Sequence, residues 1–169
     1  YDPDKYQQIF GVSLGWGKRL RWPDDYFTLS AELSYTRYMM KDWNYFSLMT
    51  NGNCNNLALR FTLSRNSTDN QIFPRRGSEI QLSVAFTPPY SLWDGKDYAN
   101  LANNPSSSTY MRELQDKYSW IEYHKWKFKA RTFTALSGHN KCFVLMTRAE
   151  IGLLGSYNKH KPSPFENYY

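Results

Sequence analysis

The sequence has little cysteine and no long apolar run. Its 169 residues include only two cysteines, Cys54 and Cys142, which are too few to form a disulfide framework. No apolar run approaches the roughly 18 residues of a membrane-spanning helix, and the chain shows neither a starting Met nor a signal-peptide pattern. The low mean hydropathy does not argue against a membrane barrel, because only alternate residues of each strand face lipid there.

Side chains for metal binding or catalysis are also sparse. The three histidines, His124, His139 and His160, stand apart from one another and lack metal-ligand spacing to cysteines or carboxylates. The adjacent pair Asp24 and Asp25 is typical of a turn rather than of a catalytic dyad. We therefore expect no enzymatic activity, no cofactor and no metal.

Six runs of the sequence alternate between apolar and polar residues, which indicates β-strands. They cover residues 6–20, 26–40, 56–66, 78–87, 119–136 and 142–156. The second run is the most regular, with Phe27, Leu29, Ala31, Leu33 and Tyr35 on one face and Thr28, Ser30, Glu32, Ser34 and Thr36 on the other. No helical stretch is comparably strong, although a weak helical pattern covers 109–117.

The connections between these runs alternate between short and long. The turns near residues 21–25, 68–77 and 137–141 are short, whereas 41–55 and especially 88–118 are longer and polar. The runs also exceed the five or six residues common in globular strands, and aromatic residues gather at strand ends, as in interfacial girdles. These features favour a transmembrane antiparallel up-and-down β-barrel, although a soluble β-sandwich or barrel also alternates.

Six strands are too few for a closed bacterial barrel, which begins at about eight strands. An open sheet would leave unpaired backbone groups in hydrocarbon, at several kcal/mol each. We therefore expect the chain to be a fragment of a larger barrel domain, with partner strands for the first and sixth runs outside this sequence.

A basic row in the fifth run suggests nucleic-acid binding at first sight. Its members are Lys125, Lys127, Lys129 and Arg131. Aromatic content of 18% and a net charge of +6 point the same way. However, Trp126 and Phe128 alternate with the cations, so a strand places rings and charges on opposite faces. The pattern predicts rings toward lipid and cations toward a wet lumen, partly offset by carboxylates such as Glu32 and Glu150, and no nucleic-acid partner.

Two motifs, at residues 72–78 and 153–169, support a family resemblance. An aromatic-Pro-x-x-Gly turn, with Phe73, Pro74 and Gly77 in the segment IFPRRGS, precedes the fourth run. The segment LLGSY is later followed by PFENYY, which contains Pro164, Phe165, Glu166, Asn167 and Tyr168. In order and spacing, these motifs resemble the turn and the approach to the large sixth extracellular loop in the BamA family of outer-membrane assembly factors.

The resemblance implies a location, a function and a set of partners. The chain would supply about strands six to eleven of a sixteen-stranded barrel in the bacterial outer membrane, with the POTRA region and the remaining strands outside it. The whole protein would insert unfolded outer-membrane protein clients into the lipid membrane without a cofactor, together with lipoprotein or surface partners. The alternatives are a related secretion or translocation barrel and a soluble all-β binding module. The long connection 88–118 is expected to cap the lumen or to meet surface partners.

Overall fold

The computed structural model describes residues 5–42, 51–136 and 143–162, and their strands form one antiparallel sheet. The strands are β1 (Tyr6–Arg19), β2 (Phe27–Lys41), β3 (Gly52–Asn66), β4 (Gly77–Phe86), β5 (His124–Ala135) and β6 (Val144–Gly155). Their order in the sheet follows their order in the chain. The fold is therefore an up-and-down meander, as the alternation of short and long connections predicts.

Each of the six alternating runs forms a strand, so the all-β prediction is confirmed. Two boundaries differ from the expected ones by more than two residues. β3 begins four residues before the expected position 56, because it continues alongside β2 up to the pair Met40–Gly52. β5 begins at His124 rather than at 119, because its pairing with β4 begins at His124. Residues 119–123 lie instead beside the first residues of β3, where a parallel bridge joins Trp120 to Asn55. Residue 142, the expected start of the sixth strand, lies outside the described residues.

The long connection between β4 and β5 contains two helices. These are α1 (Tyr90–Trp93) and α2 (Tyr110–Tyr118). The second helix matches the weak pattern at 109–117 within one residue, with Glu113 in its first turn and Lys117 in its last, where each charge complements the helix dipole. Within the described part of the chain, neither helix is long and apolar enough to span a membrane.

The buried apolar core lies at one end of the sheet, where the long connection packs against the strands. It consists of Met40, Cys54, Ala58, Ala85, Leu114, Tyr118, Ile121 and Tyr123. The first four members belong to β2, β3 and β4, and the last four belong to the long connection. We call this end of the sheet the long-loop end and the opposite end the short-turn end.

Candidate functional site

One face of the sheet is apolar across all six strands. The cross-strand register places Trp16, Ala31, Phe61, Val84, Trp126 and Leu153 in a single row, one residue from each strand. Large apolar side chains on this face are exposed: Leu14 is 75% exposed and Leu153 is 64% exposed. Monomeric soluble proteins rarely expose apolar patches this extensive. The apolar face is therefore suited to hydrocarbon rather than to water.

The opposite face of the same strands is polar. Its matching row is Gly17, Ser30, Thr62, Ser83, Lys127 and Gly152. The hydroxyls are linked across strands, since Ser30 Oγ donates to the Thr62 carbonyl at 3.4 Å and the hydroxyls of Thr62 and Ser83 lie 3.3 Å apart. Neighbouring residues alternate between the two faces because successive side chains of a strand point in opposite directions.

The four cations predicted to form a row lie on this polar face, and carboxylates of neighbouring strands pair with three of them, Lys127, Lys129 and Arg131. Glu150 accepts from Lys127 at 3.2 Å, from Lys129 at 3.4 Å and from Arg148 at 2.5 Å. Arg131 lies 2.5 Å from Glu79.

Glu32 pairs with Arg60 of β3 at 3.4 Å. Charge on the polar face is thus offset in part by carboxylates of the same or the adjacent strand. These pairs are partly exposed, so they organise the face more than they stabilise it.

The long connection covers the polar face at the long-loop end. A parallel bridge joins it to β3: the Asn55 N–H donates to the Ser119 carbonyl, and the Ile121 N–H donates to the Asn55 carbonyl, each at 2.8 Å. The Gln115 side chain adds a second link, accepting from the Asn53 N–H at 3.0 Å and donating to its carbonyl at 2.6 Å. These contacts hold residues 114–121 against the polar face, and the apolar face has no such cover from the described residues.

A buried polar cluster joins the long connection to the segment after β6. Glu122 is 1% exposed and accepts two hydrogen bonds from Ser91, from the N–H at 2.9 Å and from the hydroxyl at 2.5 Å. Lys161 is 2% exposed, and its ammonium lies 4.8 Å from the centre of the Tyr98 ring. The Tyr98 hydroxyl in turn donates to Asp94.

Electrostatics within this cluster follow from its burial. Burial lowers the pKa of Lys161, and the carboxylates of Glu122 and Asp94 oppose that shift. Burial also raises the pKa of Tyr98, and its hydrogen bond to Asp94 acts in the same direction. The cluster fixes the segment containing Lys161 to the long connection at neutral pH.

The short-turn end is built around the predicted Phe73-Pro74-Gly77 turn. Gly77 has a φ of 109°, and a Cβ atom there would lie 2.3 Å from the Ser67 carbonyl oxygen. The Asp69 carboxylate accepts from the N–H groups of Arg75 and Arg76 at 2.9 and 3.2 Å, which lowers the pKa of that carboxyl. Glycine is thus required by the backbone, whereas Phe73 is exposed.

A comparison with known families decides the identity of this two-faced sheet. The sequence matches the Omp85 superfamily domain over residues 2–169. The chain belongs to the Omp85 superfamily. This superfamily includes outer-membrane assembly and secretion barrels, so the Omp85 sheet described here is a β-barrel segment, with an all-β up-and-down fold. No curated protein matches the chain.

The Omp85 structure also contains contacts that sequence reasoning missed. Arg65 donates to Asp24, which the sequence indicates only as a turn residue, and the Glu122–Ser91 contact has no local sequence motif. The one available signal for Glu122 is its position between Ile121 and Tyr123, where a charge interrupts an apolar segment. The second predicted motif, Pro164, Phe165, Glu166, Asn167 and Tyr168, lies outside the described residues.

Proposed function

We propose that this chain is a wall segment of a BamA-like factor that inserts and folds outer-membrane proteins in bacteria. The observation that supports the proposal most directly is the continuous apolar face opposite a charged, capped polar face, in a chain of the Omp85 superfamily. A lipid-facing wall needs this two-sided pattern. The order of the Phe73-Pro74-Gly77 turn and the later PFENYY segment favours the assembly branch of the superfamily.

The open edges of the sheet support a larger barrel. β1 and β6 each have one neighbour among the described strands, and unpaired backbone groups cost several kcal/mol each in hydrocarbon. We infer that further strands close the barrel, with this chain as about strands six to eleven of sixteen, and that a POTRA region precedes it. Assembly then works without a nucleotide cofactor, because burial of the client in lipid supplies the driving force.

The two faces suggest separate roles within the wall. The apolar face contacts lipid. The basic row Lys125, Lys127, Lys129 and Arg131 and its carboxylate partners line a wet lumen. The long connection caps that lumen at the long-loop end, and its outer surface, which includes the exposed Leu92 and Trp93, is available to surface or lipoprotein partners.

Depletion of the full-length protein in its native cells tests this proposal. We expect many outer-membrane barrels to lose protease-resistant folding together, and the purified protein in liposomes to speed the folding of an added barrel client. Loss of one secreted protein with normal barrel assembly would instead identify a secretion barrel. Normal assembly of every barrel and normal secretion would reject both roles.

A further inference from the structure

Two adjoining grooves open on the polar face at the short-turn end. The larger has a volume of about 450 Å³ and lies between the β3–β4 turn, at Asn70 and Ile72, and the strand residues Phe133 and Met146. The smaller, of about 310 Å³, lies on the other side of the turn against β1 and β2. Asn66, Thr68 and Gln71 line both grooves. Together the two grooves extend across the polar face from β1 to β6.

The turn offers carboxamide groups to these grooves. The Oδ1 atom of Asn66 accepts from the Thr68 N–H and hydroxyl at 3.0 and 2.7 Å, and Oδ1 of Asn70 accepts from the Ile72 N–H at 3.1 Å. These bonds fix the two side chains and leave their Nδ2 groups able to donate. Gln71 is exposed at the centre. Carboxamides both donate and accept, so they complement a peptide backbone, which carries one donor and one acceptor per residue.

Apolar side chains stand beside the amides. Ile72 is 77% exposed on the turn, and Met146 is 53% exposed on the facing strand. Because both line the larger groove on the polar face, neither is positioned for the hydrocarbon side of the sheet. A ligand that fills this groove therefore needs apolar groups interspersed with hydrogen-bonding groups.

The formal charges of the side chains that line each groove cancel, since Glu79 and Arg131 line the larger groove and Arg19 and Asp25 line the smaller one. Arg131 pairs with Glu79 at 2.5 Å, and Arg19 donates to the Asp25 carbonyl at 2.6 Å. Both cations line these grooves. Because the lining charges cancel within each groove, the grooves themselves carry no net positive charge, on which attraction of a phosphate or an anionic lipid headgroup depends.

We propose that these grooves form a binding site for an extended segment of polypeptide. The backbone of the segment bonds to Gln71, Asn66 and Asn70, and its apolar side chains contact Ile72 and Met146. The proposal extends the proposed function and rests on it for the source of the peptide, since clients of an assembly factor arrive as unfolded chains. The site lies at the end of the lumen face opposite the cap.

Peptide binding to the purified full-length protein tests the site. The probe is a fluorescein-labelled synthetic peptide with the sequence of residues 27–41, used as a model barrel strand. We expect the double variant Gln71→Ala/Ile72→Ser to weaken peptide binding by at least about tenfold. A matched variant at the long-loop end, Met111→Ser/Asn100→Ala, changes an exposed apolar residue and an exposed amide. It should bind the peptide like the wild type, and moderate salt should change the affinity little.

Equal affinity in the double variant, or absence of peptide binding by the wild type, would overturn the site. The site would also be overturned if the double variant bound the peptide normally but no longer bound short-chain phosphatidylglycerol, because that result identifies a lipid site. Client assembly is scored separately. If the wild type assembles clients and the double variant still binds the peptide as tightly as the wild type, only the proposed peptide site is contradicted. If the wild type assembles no client, the proposed function is contradicted.

Discussion

Arg65 donates two hydrogen bonds to one carboxylate oxygen of Asp24, from Nε at 3.0 Å and from Nη2 at 2.9 Å. Its Nη1 group reaches the hydroxyls of Ser67 and Ser78, at 3.1 and 3.3 Å. The guanidinium also lies 5.6 Å from the centre of the Tyr26 ring. A single side chain thus joins the β1–β2 turn to the β3–β4 turn at the short-turn end.

Replacing Arg65 should loosen this junction. We expect Arg65→Ala to destabilise the sheet by about 1 kcal/mol, since the pair is part-exposed and solvent screens it. Arg65→Lys should recover little, because a single ammonium cannot reproduce the several directed N–H groups of a guanidinium. Thermal unfolding of the full-length protein by circular dichroism measures the change, with the exposed Arg75→Ala as control. Full recovery by lysine would show that charge alone holds the junction.

The strands could be predicted from the sequence, but this junction could not. Alternation along β2 is local information, and burial on one face fixes register once strands pair. The contact of Arg65 with Asp24 depends on two turns meeting at one end of the sheet, which no local pattern records. Residues 119–123 show the same limit. They alternate like a strand, yet they belong to the long connection, and Ile121 and Tyr123 pack in the buried core.

Gly77 should tolerate no side chain. Its φ of 109° is unfavourable for an L-residue, and a Cβ atom would clash with the Ser67 carbonyl. We expect Gly77→Ala to cost about 2 kcal/mol or more. Gly15→Ala is the matched control, because a Cβ at Gly15 meets no atom within 4 Å. Equal unfolding temperatures for the two variants would contradict the backbone requirement.

Asp69 should titrate below its ordinary pKa of 3.8, because the N–H groups of Arg75 and Arg76 stabilise its charged form. A lowered folded pKa means that the stabilising contribution is present above pH 3.8 and is lost as the pH falls through the folded value. The amide chemical shifts of Arg75 and Arg76 in an NMR titration should report a midpoint below 3.8. Asp69→Asn should abolish the transition. A midpoint at or above the ordinary value would contradict the turn geometry.

Removing the charge of Glu122 alone should destabilise the buried cluster more than removing the charges of both Glu122 and Lys161. Glu122→Gln removes a carboxylate that favours the buried Lys161 ammonium and weakens the acceptor for Ser91, so we expect local destabilisation of about 1–2 kcal/mol. Adding Lys161→Met should recover much of that loss, because no uncompensated charge then stays buried.

Limited proteolysis of the long connection measures this response, with cleavage faster in the single variant than in the double variant. Arg112→Met serves as a control, since this exposed cation of α2 is not among the charges that act on Lys161. Cleavage of the double variant as fast as that of the single variant would show that Glu122 acts only through its hydrogen bonds to Ser91.

We expect alternate residues of these strands to face hydrocarbon on one side of the sheet and water on the other. Spin labels placed singly at positions 29 to 35 of β2 test it, in the full-length protein in lipid bilayers and in a Cys54→Ser/Cys142→Ser background. Oxygen accessibility should peak at Leu29, Ala31, Leu33 and Tyr35, and accessibility to a water-soluble nickel chelate should peak at Ser30, Glu32 and Ser34. Uniform accessibility along the strand, or the two sets exchanged, would contradict the account.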